Sequence, residues 1–230
     1  MRIKLLKELE QLSKEEYKNF SLKLLPKETK LLGVKIPLLK RMAKTLIKNN
    51  LSTNYLSLSL KDLEYQEEKM LYSLLIALEK QEEVERLDKI KQYIPYIKNW
   101  SECDTFCASL KSIKENQEFY YNKFLPYTQS NHEYEIRFFY VIALNYFIND
   151  TYLSHILNLI KSQTYVGYYD RMAVAWFLSI AFISYPSQIR DFLKNTSLDT
   201  KVYQKTISKI NDSYQIKQET KQELKSYLAS

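Results

Sequence analysis

Apolar residues recur along this chain at the three- and four-residue spacing of amphipathic helices, and no run shows a convincing strand pattern. Proline punctuates the pattern, with Pro26, Pro95 and Pro126 each following a periodic segment. The spacing predicts helices over residues 3–12, 13–26, 37–48, 60–80, 83–97, 97–110, 115–125, 133–148, 152–163, 168–185, 187–194, 199–211 and 215–228. We therefore expect an all-α protein that forms a single domain over residues 1–230.

Several helix starts carry polar residues that suit a structural role. Ser13, with Glu16 three residues later, predicts that the second helix is capped by Ser13. The helix over residues 60–80 begins with Glu64, Glu67 and Glu68. Because negative charge stabilises the first turn of a helix, we interpret these three carboxylates as structural before catalytic.

The third helix has an apolar face and a basic face, and Pro37 suits its first turn. The basic side chains are Lys35, Lys40, Arg41, Lys44 and Lys48. Such a face either meets phosphates or is simply solvated, and both interpretations stay open.

Residue content excludes several classes of enzyme. Two glycines cannot build a dinucleotide-binding or Walker loop, and no metalloprotease motif or nucleophile elbow occurs. Cys103 and Cys107, with His132 and His155, lack the spacing of a zinc site. We expect both cysteines to be buried without a disulfide framework, and we expect no metal and no cofactor.

The formal net charge of +7 indicates a polyanionic partner such as nucleic acid, although a composition rich in Lys, Asn, Ile and Tyr also arises from an AT-rich genome. Residues 172–185 form the longest nearly apolar run, which is too short to span a bilayer. The N-terminal residues are charged and helical rather than a secretion signal. We expect a cytoplasmic protein.

Four residues have the chemistry and spacing of a candidate site. Trp100 and Asp104 lie four residues apart in the helix over residues 97–110, so they share one helix face. Arg137 follows Asp104 by 33 residues, and Trp176 follows Arg137 by 39. These intervals suit successive helical pairs of a repeat protein, which would place the four residues along one concave wall.

Each of these residues also has a structural interpretation. Ser101-x-x-Asp104 matches a helix capping box, which would make Asp104 a first-turn residue. Trp100 and Trp176 would then be core residues, and Arg137 a structural cation.

The strings that surround these residues resemble the AlkD-like family of DNA alkylation repair proteins, which are glycosylases built from HEAT-like repeats. The resemblance rests on strings that occur in family order: LLGVKIPLLKRMAKTL (31–46), YLSLSLKDLEYQEEKMLYSLL (55–75), NWSECD, EIRF, the Trp176 helix and KTISKINDSY (205–214). It implies an ARM-type helical solenoid with a concave basic DNA-binding face.

The resemblance further implies a monofunctional glycosylase that removes cationic alkylpurines from duplex DNA without base flipping and leaves an abasic site. Such a base leaves as a neutral molecule and needs no general acid, so one carboxylate suffices. The implied catalytic residues are Asp104, Trp100 and Trp176, and the implied phosphate contact is Arg137. From the basic face of the third helix we add Lys35, Lys40, Arg41 and Lys44 as predicted DNA contacts. A noncatalytic DNA-binding module and a protein-interaction scaffold remain as alternatives, and a monomer without membrane association is expected.

Overall fold

The computed structural model describes residues 1–226, and within that range every regular element is helical. The helices group into two compact units, an N-terminal unit, Met1–Ser112, and a C-terminal unit that begins at Ile113. The predicted all-α fold is confirmed. That residues 1–230 form one domain, and that the protein has a concave basic face, stay predictions.

The N-terminal unit contains seven α-helices joined by short segments. They are α1 (Arg2–Leu12), α2 (Glu15–Leu22), α3 (Ile36–Lys48), α4 (Ser52–Leu56), α5 (Gln66–Leu78), α6 (Glu83–Tyr93) and α7 (Trp100–Ser109). Single 3-10 turns occupy Leu60–Asp62 and Ile94–Tyr96. Pro95 lies in the second of these turns, so the predicted interruption at this proline is confirmed.

The described part of the C-terminal unit contains seven more α-helices. They are α8 (Gln117–Phe124), α9 (Glu133–Tyr146), α10 (Leu153–Lys161), α11 (Tyr168–Ser184), α12 (Pro186–Asn195), α13 (Thr200–Asp212) and α14 (Gln218–Ser226). Leu125–Gln129 forms a 3-10 turn around Pro126, which ends α8 as predicted. The last two residues of the helix predicted over 215–228 lie outside the described residues.

Helices two apart in sequence pack against each other inside each unit. In the N-terminal unit α5 lies between α3 and α7, and in the C-terminal unit α11 lies between α9 and α13. The two middle helices, α5 and α11, are the most apolar of their stacks and are buried along most of their length. This stacking of alternate helices is that of a HEAT-like repeat. Every candidate residue lies on an odd-numbered helix, except Lys35, which directly precedes α3.

Two predicted helix starts are wrong. The Ser13 hydroxyl donates to the Glu10 carbonyl (2.7 Å) and so serves the end of α1, while α2 begins at Glu15. Residues 60–65 do not join α5, because the Glu68 carboxylate accepts hydrogen bonds from the backbone N–H groups of Glu64 and Tyr65. These bonds hold the preceding chain in an extended conformation, so α5 starts at Gln66.

The acidic start of α5 is a structural centre of the N-terminal unit. Glu67 is 1% exposed, and its carboxylate accepts hydrogen bonds from the backbone N–H groups of Leu32 (3.0 Å), Gly33 (2.7 Å) and Val34 (3.0 Å). Glu68 is equally buried and pairs with Arg2 at 2.7 Å. The structural interpretation of Glu67 and Glu68 is therefore confirmed. Their main partners, however, are residues of other segments and not the dipole of their own helix.

Candidate functional site

The start of α7 is set by Asn99 and Glu102. Asn99 has an extended backbone, and its side-chain oxygen accepts a hydrogen bond from the Glu102 N–H at 3.0 Å. The Glu102 carboxylate in turn accepts one from the Lys98 N–H at 2.9 Å. The capping pair is therefore Asn99 and Glu102, and the capping role considered for Ser101 and Asp104 is wrong. Asparagine followed by glutamate three residues later is the sequence signal that reveals this pair.

With the helix start at this position, Trp100 is the first residue of α7 and Asp104 is the fifth. Their side chains lie one turn apart on the same face. The Trp100 indole N–H donates to the Leu24 carbonyl at 2.9 Å, which ties the ring to the segment after α2. Asp104 is partly exposed and lies beyond the first turn of α7. Its carboxylate therefore does not cap the helix.

A cavity of about 150 Å³ opens beside these two residues, and we call it the Trp100 cavity. Trp100, Ser101, Asp104 and Thr105 of α7 form one wall. The remaining walls are mainly apolar and include Tyr17, Phe20, Leu24, Leu31, Val34 and Met70. A carboxylate in such surroundings interacts more strongly with a nearby charge than it would in water.

The wall contributed by α2 and by the segment after it was not predicted from the sequence. Phe20 is 61% exposed and Leu24 is 50% exposed, although both are apolar. Tyr17, Phe20 and Leu24 recur at intervals of three and four residues, and all three face the cavity. The regular spacing of these three apolar residues is the sequence signal that could have identified this wall of the cavity.

A second carboxylate of α7, that of Glu102, lies in a different environment. It is 2% exposed, and burial raises its pKa to about 7 from a usual value of 4.5, although the Lys98 backbone N–H and the charge of Lys69 act to lower it. The adjoining surface depression is lined by Lys30, Lys69 and Lys98 and not by Asp104. The carboxylates of Asp104 and Glu102 therefore line two different depressions of the surface.

The raised pKa predicts a pH-dependent stability that a Glu102→Gln variant should lack. The unfolded chain releases this proton near pH 4.5 and the folded chain near pH 7, so the folded state holds more protons between these values. The free energy of unfolding of the wild type should fall by about 2–3 kcal/mol, relative to the variant, as pH rises from about 4.5 to about 7. Urea unfolding at pH 5 and pH 8 measures this difference, with the exposed Glu85→Gln as control. Parallel pH profiles for wild type and Glu102→Gln would contradict it.

Arg137 and Trp176 belong to the C-terminal unit. Arg137 lies on α9, is 5% exposed, and donates from Nη1 to the Tyr169 carbonyl at the start of α11 (3.1 Å). Trp176 lies on α11 and is half-buried, with the Lys209 ammonium 5.8 Å from its ring centroid. The Trp176 ring therefore faces a cation, at a distance typical of a cation–π contact.

The predicted basic DNA contacts of the N-terminal unit surround the first turns of α3. Lys35, Arg41 and Lys44 are exposed, and Lys40 is half-buried. None of the four takes part in an ion pair within residues 1–226. Their charge is therefore available to a polyanion, although a solvated face has the same appearance.

The family model described as DNA alkylation repair enzyme matches residues 5–210. The chain belongs to this family. The resemblance inferred from the sequence strings is thereby confirmed, and family membership gives the protein a role in the repair of alkylated DNA. No curated protein matches the chain.

Among the described residues no three His, Cys, Asp or Glu side chains gather as a metal site. Cys103 and Cys107 form no disulfide and have no exposed surface. The predicted burial of both cysteines is confirmed. Within residues 1–226 no helix is long and apolar enough to cross a membrane.

Proposed function

We propose that this member of the family is a DNA glycosylase that hydrolyses the N-glycosidic bond of cationic alkylpurines, such as N3-alkyladenine and N7-alkylguanine, in duplex DNA. One observation carries the proposal, namely that the Trp100 ring and the Asp104 carboxylate line the same largely apolar cavity. An aromatic face and an anion together suit a ligand that develops positive charge.

The reaction needs little more than this pair. The bond between the sugar C1′ and the purine nitrogen breaks with both electrons moving to the base, so an already cationic base leaves neutral. Positive charge builds on the sugar, and the Asp104 carboxylate stabilises it while orienting a water molecule. The water oxygen bonds to C1′ and loses a proton to the surrounding solvent, which leaves an abasic sugar. No general acid is required for the leaving base.

The aromatic residues have complementary roles in this proposal. The Trp100 ring is held by its hydrogen bond to the Leu24 carbonyl, so it is a preorganised surface for the deoxyribose. The ring of Trp176 already faces the Lys209 ammonium, and a cationic base is the kind of group that could take that place. We propose that the base stays stacked in the duplex, because the bond breaks at the sugar C1′ and the base needs no pocket of its own for that step.

We further propose that basic side chains position the DNA. Lys35, Lys40, Arg41 and Lys44 surround the first turns of α3 and suit phosphate contacts without sequence preference. The phosphate contact of Arg137 stays a prediction. Because Arg137 also donates to the Tyr169 carbonyl, an Arg137→Ala variant must be checked for folding before its DNA binding is compared.

Base release from defined duplexes tests the proposed function. Single-turnover rates on DNA with N7-methylguanine should far exceed those on DNA with uracil or hypoxanthine, since neutral bases need a general acid. The second carboxylate that lines the Trp100 cavity, Glu67, is already engaged as the acceptor of three backbone N–H groups. Release of uracil at a rate similar to that of N7-methylguanine would contradict the mechanism. Binding of all duplexes without release of any base would instead support a noncatalytic DNA-binding module.

A further inference from the structure

A second cavity of about 220 Å³ lies in the C-terminal unit, beside the start of α11 and the first turns of α13. Its lining side chains are Tyr168, Arg171 and Met172 from α11, and Lys201, Gln204 and Lys205 from α13. We call it the Arg171 cavity. None of these side chains has a role in the proposed hydrolysis.

The cations of this cavity differ in how they are held. The Arg171 guanidinium donates to Asp199 Oδ2 at 3.2 Å and to the Gly167 carbonyl, and it lies 5.3 Å from the Tyr165 ring centroid. Burial would raise the pKa of Asp199, but the Val202 N–H and the Arg171 guanidinium outweigh this effect and lower it. Asp199 is therefore ionised, and Arg171 is a fixed cation at the base of the cavity.

Lys201 and Lys205 supply the mobile charge. They lie four residues apart on one face of α13, both are exposed, and neither ammonium has an ion-pair partner in the described chain. Several backbone N–H groups around the start of α11 are already used, because Asp170 accepts from Val166 and Gly167 and Glu133 accepts from Tyr169. A bound anion would therefore be attracted by the side chains and not by the helix terminus.

An aromatic ring stands at the edge of this basic cavity. Tyr168 is 57% exposed, which is unusual for so large an apolar surface, and its ring packs edge-on against Tyr169. Exposed aromatic rings beside several basic side chains are typical of surfaces that bind nucleic-acid strands, where phosphates meet the cations and sugars or bases meet the ring.

We propose that the Arg171 cavity binds one phosphate of the DNA backbone, with Lys201 and Lys205 as its main ligands and Tyr168 against the adjoining sugar. The choice of DNA as ligand rests on the proposed function. Lys209, which faces Trp176, continues the same face of α13 and follows Lys201 by eight residues, about 12 Å along the helix.

Salt-dependent binding to undamaged, fluorescein-labelled duplex DNA tests the proposal. A Lys201→Gln/Lys205→Gln double variant should bind about tenfold more weakly at 0.1 M salt, and its salt slope should fall by about one, because one phosphate contact is lost. The matched control is Lys114→Gln/Lys123→Gln, which removes the same charge from exposed positions of the C-terminal unit. Equal weakening in both variants would mean that only net charge matters, and it would overturn the site.

Protection of lysines in the wild-type protein is a second test that does not depend on a variant. Bound duplex DNA should slow acetylation of Lys201 and Lys205 but not of Lys123, as measured by mass spectrometry. Acetylation of both lysines at the unprotected rate would overturn the proposal. So would protection by inorganic phosphate alone, at matched ionic strength, since the cavity would then be a site for free anions.

These outcomes separate this inference from the proposed function. If the protein releases no base but loses DNA affinity in the Lys201/Lys205 variant, the glycosylase proposal fails and the phosphate site stands. If the variant binds DNA as the wild type does while the wild type releases N7-methylguanine, the phosphate site fails and the glycosylase proposal stands.

Discussion

An Asp104→Asn variant should release N7-methylguanine roughly 10²–10³ times more slowly than the wild type, the scale expected when one preorganised electrostatic group is lost. Asparagine has nearly the same shape but no charge, so it cannot stabilise the positive sugar. The helix start does not depend on this side chain, because Asn99 and Glu102 cap α7. We therefore expect the variant to fold and to bind undamaged DNA as the wild type does.

The measurement is single-turnover base release at saturating protein, accompanied by thermal unfolding. Asp88→Asn is the matched control, since it removes the same charge from an exposed position in the N-terminal unit. The control should leave the rate unchanged. An Asp104→Asn variant that releases base at the wild-type rate would remove Asp104 from the mechanism.

The largest effect on stability is expected at Glu67. Its buried carboxylate accepts three backbone N–H groups from residues 32–34, the segment that leads into Lys35 and the start of α3. In a Glu67→Gln variant the side-chain amide has one oxygen fewer and brings its own N–H groups toward these donors. We expect a loss of about 2–4 kcal/mol in the free energy of unfolding, the scale for leaving buried donors unpaired.

Denaturant unfolding measures this loss, and Glu64→Gln is the control. Glu64 lies three residues earlier, is 54% exposed and pairs with Lys30 at the surface, so its substitution should change stability by about 0.5 kcal/mol or less. The segment held by Glu67 also lines the Trp100 cavity through Leu31 and Val34. A Glu67→Gln variant as stable as the control would show that these hydrogen bonds contribute little.

The amino-acid sequence was sufficient for the helical class, for most helix positions and for the pairing of Trp100 with Asp104. The reason is that these features depend on local spacing. Apolar periodicity and proline positions act over a few residues, and two residues four apart in a helix share a face wherever the helix packs. The stretch around them also carried the resemblance to the family, which the match over residues 5–210 confirms.

Features that depend on partners distant in sequence required the tertiary structure. In the sequence Glu67 is an ordinary acidic residue of a first helical turn. In the structure its hydrogen-bond donors are backbone N–H groups more than thirty residues earlier. The raised pKa of Glu102 follows from burial, and the fixed orientation of Trp100 follows from the Leu24 carbonyl. Burial and hydrogen bonding depend on which helices pack against each other. Local sequence patterns do not show which residues tens of positions apart will come into contact.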